Sequence, residues 1–129
     1  MNDDDLVARA AAVVNPQVVA GRLMGDVGAA LVTDRGAVYV GVCIDTHSGT
    51  GFCAEHSAIA AMVTAGERRI EKIVAVWKDQ EGSVVILPPC GRCREFIRQM
   101  DAVNLDASVI LHDGVLKLRD LLPYHDWPP

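Results

Sequence analysis

The sequence is short of positive charge, short of aromatic residues and without a long apolar run, and each shortage removes a class of function. Twelve Lys and Arg stand against 17 Asp and Glu, for a net charge of −5. A protein held to duplex nucleic acid or to an anionic membrane by neutralising phosphates needs the opposite balance. Only two each of Trp, Tyr and Phe leave no evident stacking groove for single strands. The longest unbroken apolar run, Ala58 to Val63, is six residues, against the roughly 18 or more of a membrane helix. The opening Met1-Asn2-Asp3-Asp4-Asp5 has the opposite sign from the basic start of an export signal. These features predict a soluble, cytoplasmic protein with a free small molecule as its partner, and neither nucleic acid nor membrane.

What is present is an ordinary globular composition. Half of the 129 residues are hydrophobic and 22% are charged, and no repeat, low-complexity tract or linker interrupts them, which predicts one domain over 1–129. Leu6, Ala10, Val13 and Val14 recur at helical spacing, predicting a helix over Asp4–Val14 that Asn15-Pro16 stops. Val27–Thr33 and Ala37–Cys43 flank Asp34-Arg35-Gly36 as a hairpin would. His47–Gly51 reads as a surface loop. Phe52–Ala65 is a helix with almost no polar face, predicted to be central and buried all round, with Gly66 as its C-terminal stop. Ile73–Trp77 is the run of a strand buried on both faces. Val84–Leu87 is a short strand, Arg92–Met100 a helix, Ser108–His112 a strand and Leu118–Leu122 a short helix. The order hairpin, helix, strand, helix, strand is an α/β pattern with a mixed, helix-covered sheet.

Four cysteines carry the first chemical signal: Cys43, Cys53, Cys90 and Cys93. In a reducing compartment they point to metal or redox chemistry rather than to disulfides. Cys53-Ala54-Glu55 opens the apolar helix, and Pro89-Cys90-Gly91-Arg92-Cys93 opens the next. Thiols at helix N-termini are biased toward thiolate by backbone N–H groups and the helix dipole. Three of them make a three-ligand zinc site with its fourth position open, the arrangement of a catalytic zinc. Glu55 is the only carboxylate between Phe52 and Gly66. A buried carboxylate costs several kcal/mol unless a charged or hydrogen-bonding group receives it, and a metal-activated water is such a group. A bland role, capping its own helix, is the alternative.

These two motifs resemble the zinc-dependent nucleobase deaminases, whose signature is His-or-Cys-x-Glu followed by Pro-Cys-x-x-Cys. The all-cysteine form is similar to the small cytidine deaminases and the blasticidin S deaminases. Val27–Leu31 with Thr33–Gly36 is similar to that family's first hairpin, and Leu121-Leu122-Pro123 to its closing motif. The resemblance implies the cytidine deaminase-like fold, a three-layer α/β/α sandwich with a mixed, mostly five-stranded sheet. It also implies a homotetramer with active sites at subunit contacts, dimeric relatives being known. By the same resemblance Cys53, Cys90 and Cys93 hold Zn²⁺, which lowers the pKa of a water. Glu55 takes the water proton, passes it to the ring nitrogen beside the amino-bearing carbon, and protonates the departing amine. The Ala54 N–H helps hold the substrate carbonyl. Three thiolates leave the site at net −1, to be offset by the helix N-termini and by cations such as Arg92 or Arg94.

Some positions depart from the family pattern. Cytidine-specific members carry Asn-x-Glu after the second strand to grip the ribose, where this chain has Cys43-Ile44-Asp45. Asp45 can accept from a sugar hydroxyl, but Cys43 lacks an amide's paired donor and acceptor and reads as core or pocket packing rather than as a metal ligand. His56 stands where three-cysteine members often have Arg, and Pro88 where Ser or Thr is usual. Tyr124 and Trp127 are the candidates for the aromatic that stacks on the base. Two other classes fit part of the pattern. Cys90-Gly91-Arg92-Cys93 suits a thioredoxin-like redox site but leaves Cys53 and Glu55 without a role. A structural zinc in a binding or assembly module, closed by His47, His56 or His112, needs no carboxylate beside it.

Overall fold

The computed structural model describes residues 1–126. Helix α1 (Asp3–Val13) begins where Asn2 accepts from the Asp5 N–H, and three aspartates fill its first turn at the positive end of the dipole. Then follow β1 (Gln17–Val19), β2 (Arg22–Met24), β3 (Val27–Thr33), β4 (Val38–Val42), α2 (Ala54–Thr64), β5 (Ile70–Lys78), β6 (Val84–Leu87), α3 (Gly91–Met100), a 3₁₀ turn (Ala102–Asp106), β7 (Ser108–Leu111), β8 (Gly114–Lys117) and α4 (Leu118–Leu121). The main sheet has six strands rather than mostly five. Its path is β4-β3-β5-β7-β8, with β6 added beside β5. Only β5 and β7 run parallel, so the sheet is mixed. β1 and β2 form a separate small hairpin.

β3 and β5 show why the central strands read as continuous apolar runs. Ala30, Val32, Val74 and Val76 pack with Leu6, Ala10 and Ala11 of α1. Ala29, Leu31, Ile73 and Ala75 face the other way, onto Ala58, Ile59 and Met62 of α2 and Ile97 of α3. Alternate residues therefore enter two cores, and neither face is left for water. This is the expected three-layer α/β/α arrangement. The layers approach closely through two glycines on neighbouring strands. A Cβ on Gly28 would sit 2.3 Å from the Ala10 carbonyl oxygen of α1, and one on Gly41 would sit 2.4 Å from Ser57 Cβ of α2. Ser57 Oγ then donates to the Val42 carbonyl at 2.7 Å, fastening the start of α2 to β4.

The prediction that α2 is buried all round does not hold within one chain. Ala54, Glu55, Ala58, Ile59 and Met62 are buried, while Ala60, Ala61 and Val63 face outward. A helix laid on one sheet face buries a single stripe, and the described residues supply nothing to cover the other.

Candidate active site

The sheet delivers two helix N-termini to one place. Cys53 is the N-cap of α2 and Cys90 the N-cap of α3, both with extended backbone and neither making a side-chain cap hydrogen bond. Cys93, in the first turn of α3, is fully buried. Cys53 Sγ lies 3.5 Å from Cys90 Sγ, and Cys90 Sγ lies 3.4 Å from Cys93 Sγ. Tetrahedral thiolates about 2.3 Å from a zinc ion are separated by roughly 3.8 Å, so the spacing is close to that of a metal-holding set. All three sulfurs fall within 4.8 Å of one another, and no fourth His, Cys, Asp or Glu joins them among the described residues. His47 and His112 are exposed elsewhere. A closed structural site therefore lacks its fourth ligand there, and a dithiol redox pair leaves the adjacent Cys53 unexplained.

Electrostatics argue the same way. Burial pushes the Cys53 thiol up to about 11, reinforced by Cys90. Burial and the Glu55 charge raise Cys93 further. Burial also raises Cys90, but the Cys93 backbone N–H, the neighbouring thiols and the Arg92 N–H outweigh it and bring it below the ordinary value. Three sulfurs held together this way become thiolates together only around a cation. The donor set fits zinc.

Among the described residues three polar side chains are buried: Thr33, Asn104 and Glu55. Asn104 is fully used, donating to the Arg68 and Ile97 carbonyls and accepting from the Ile70 N–H at 2.8 Å. Thr33 Oγ1 accepts from the Arg35 and Ala37 N–H groups. Glu55 instead lines the cavity that Cys53 and Cys90 border. Burial raises its carboxyl above the usual range, only partly offset by its own N–H and by the Cys93 thiol. Helix capping does not account for a carboxylate held at 5% exposure with its acidity weakened.

That cavity is about 570 Å³ and is bordered by Cys53, Ala54, Glu55, Cys90, Cys43 and Asp45, a size that suits one small organic molecule. Ala54 opens α2, where backbone N–H groups lack helical partners. Cys43 is buried, and its thiol donates to Asp26 Oδ1 at 3.1 Å. Asp26 also borders the cavity; nothing in the sequence marked it, because a lone Asp before a strand reads as a turn residue. Tyr124 is fully exposed and does not border the cavity of its own chain; it follows Pro123 in the turn beyond α4. Trp127 lies outside the described residues.

Both expected compensating cations, Arg92 and Arg94, donate to backbone carbonyls, which leaves their charge in place. Arg94 donates to the Pro89 and Leu121 carbonyls, bracing the loop before Cys90 against α4. Arg98 pairs with Glu95. Arg92 borders the cavity and donates to the Gly51 carbonyl at 3.2 Å. A side-chain nitrogen does reach the cluster: His56 Nδ1 lies 3.4 Å from Cys93 Sγ. Burial and the Arg92 charge hold the His56 imidazole below its ordinary value.

An α/β sandwich presenting three thiols from two helix N-termini beside a buried glutamate defines a zinc-dependent hydrolase of the deaminase class. Residues 1–108 match the family described as the cytidine and deoxycytidylate deaminase zinc-binding region, and the chain belongs to that family. A cytidine deaminase of Mycobacterium tuberculosis is 38% identical over 101 residues, 75% of this chain and 69% of that one. A blasticidin-S deaminase of Bacillus cereus is 38% identical over 76 residues, 55% of this chain. The match spans about half of that relative, 54%. The crystal structure of the Mycobacterium tuberculosis cytidine deaminase superposes with a TM-score of 0.80 at 27% identity, covering 99% of both chains. That of Mycobacterium leprae gives 0.78 at 30% identity over 95% of this chain and 98% of that one.

Proposed function

We propose that this protein hydrolyses an aminopyrimidine nucleoside, cytidine or deoxycytidine, to the uridine product and ammonia. The observation that carries the reading is Glu55, a buried carboxylate with weakened acidity that borders the same cavity as Cys53 and Cys90, two of the three clustered thiols. Cys53, Cys90 and Cys93 hold the zinc. When bound, zinc supplies a Lewis acid that makes water nucleophilic at neutral pH. Glu55 accepts the proton of the attacking water and returns it to the ring nitrogen beside the amino-bearing carbon. The same carboxyl then takes the second proton from the newly added hydroxyl and gives it to the departing amine, so that the amino-bearing carbon becomes the ring carbonyl and ammonia leaves. A raised carboxyl pKa suits both roles, since the group must hold a proton as well as take one. The Ala54 N–H orients the ring carbonyl. Asp45, with Asp26 beside Cys43, accepts from the sugar hydroxyls.

Deamination of blasticidin S or another aminated heterocycle is the second reading. It is favoured by Asp26 and Asp45, neither of which is in an ion pair among the described residues, and which suit a cationic substituent. The protein acts in the cytoplasm as a homotetramer or a dimer. The outward apolar residues Ala60, Ala61 and Val63 of α2 and the fully exposed Tyr124 supply surface for contacts between copies. Ammonia release from cytidine, deoxycytidine, cytosine and blasticidin S, on protein with one zinc per chain, tests the reading. Highest kcat/KM on a pyrimidine nucleoside supports it; turnover of blasticidin S alone shifts it to the second reading; no turnover on any of them overturns the first reading and removes blasticidin S from the second.

A further inference from the structure

His56 is placed with more care than a residue of the helix surface requires. It lies three residues after Cys53 on α2, and Phe96 lies three residues after Cys93 on α3, so each sits one turn behind a cysteine on the same helical face. The two rings stack across the helix pair with centroids 4.2 Å apart and planes 2° from parallel. Phe52 approaches the imidazole as well, at 6.5 Å and tilted. The sequence contains two phenylalanines, and both are placed beside this one histidine. The stack leaves Nδ1 facing Cys93 Sγ at 3.4 Å. A ligand role is excluded by position, since His56 does not join the group in which every donor atom is within 4.8 Å of the others. The rest of the ring borders a shallow depression with Arg92, Glu95 and Gln99.

We infer that His56 is a positioning residue for the metal site: its Nδ1–H donates to the Cys93 sulfur, and Phe96 and Phe52 fix the ring in the orientation that allows it. A hydrogen bond of this kind holds the thiolate's direction and draws electron density from the sulfur. It moderates a set of three thiolates through a hydrogen bond, in a site whose arginines donate to carbonyls and to Glu95. This inference rests on Cys53, Cys90 and Cys93 being the ligands.

The test uses protein loaded with zinc or with cobalt(II), whose sulfur-to-metal charge-transfer absorption reports on the sulfur electrons. His56→Ala is expected to keep one cobalt per chain, to shift that absorption to lower energy, and to release zinc to a chelator about tenfold faster. Phe96→Leu, which loosens the ring but keeps the imidazole, shifts the absorption the same way by less. The tautomer is read on the unmutated zinc protein by nitrogen-15 magnetic resonance, and is expected to carry the proton on Nδ1. Full cobalt uptake by His56→Ala with an unmoved absorption, or a proton found on Nε2 alone, overturns the inference while leaving the ligands standing. Failure of the unmutated chain to take up cobalt overturns the ligand assignment and this inference together.

Discussion

Cys53 Sγ and Cys90 Sγ lie 3.5 Å apart although 37 residues separate them in the chain. The whole of α2, β5 and β6 intervenes, so metal binding ties together segments that fold far apart in sequence. Replacing either thiol by Ala, or chelating the metal, is expected to lower the melting temperature and reduce zinc from one per chain to near none. Metal analysis with thermal unfolding checks this. An equally stable Cys53→Ala variant that retains its zinc would contradict it.

Gly41→Ala is expected to strike the site from a distance. The added Cβ would meet Ser57 Cβ at 2.4 Å and the Ala58 nitrogen at 2.6 Å, forcing α2 away from β4. Overpacking of this kind costs about 1–3 kcal/mol, and it displaces Cys53 at the head of the same helix. Urea unfolding should show the loss, with faster zinc release alongside. A variant of unchanged stability would mean that α2 does not depend on this seat.

Tyr39 of β4 donates from its hydroxyl to Glu67 Oε2 at 2.6 Å, closing the connection after α2 onto the sheet. The bond holds Glu67 below its ordinary 4.5 and raises Tyr39 above its ordinary 10.0. Glu67 therefore adds stability above about pH 4.5, and this is lost as pH falls through its lowered native value. Tyr39 adds stability below about pH 10, lost as pH rises through its raised native value. Tyr39→Phe should lower the melting temperature at neutral pH, with the difference from the parent narrowing at both extremes. A difference that does not change with pH would refute the linkage.

Much of the site could be read before any coordinates. Cys53, Glu55, Cys90 and Cys93 are legible because their chemistry is local: each stands at or near the start of a helix whose apolar pattern announces it. β3, β4 and β5 are legible because burial on both faces writes itself as unbroken apolar runs. The elements that were missed have no such pressure on them. β1 and β8 are exposed along their whole length, so neither period nor apolarity marks Gln17–Val19 or Gly114–Lys117. Asp26 and the bracing role of Arg94 depend on which loops meet, which spacing along the chain does not encode. The outward stripe of α2 reads as buried for the opposite reason, because Ala60, Ala61 and Val63 are apolar whether or not one chain covers them.

Asp45 stands at the cavity wall beyond Cys43, in the stretch that occupies the position of the ribose-gripping Asn-x-Glu without matching it. Asp45→Ala is expected to raise KM for cytidine about tenfold, the worth of one hydrogen bond to a charged group, while leaving free cytosine nearly unaffected. Parallel loss on both substrates would remove Asp45 from sugar recognition.

Glu55→Gln isolates the central claim, because the amide keeps the size of the side chain but cannot carry the proton. The measurement is ammonia release from the preferred nucleoside, with zinc content determined on the same sample. The expected result is one zinc per chain and kcat reduced by about 10²–10⁴-fold, the share that a positioned proton carrier contributes. Unchanged turnover with zinc bound would contradict the role of Glu55 and, with it, the reading of this cavity as a deaminase active site.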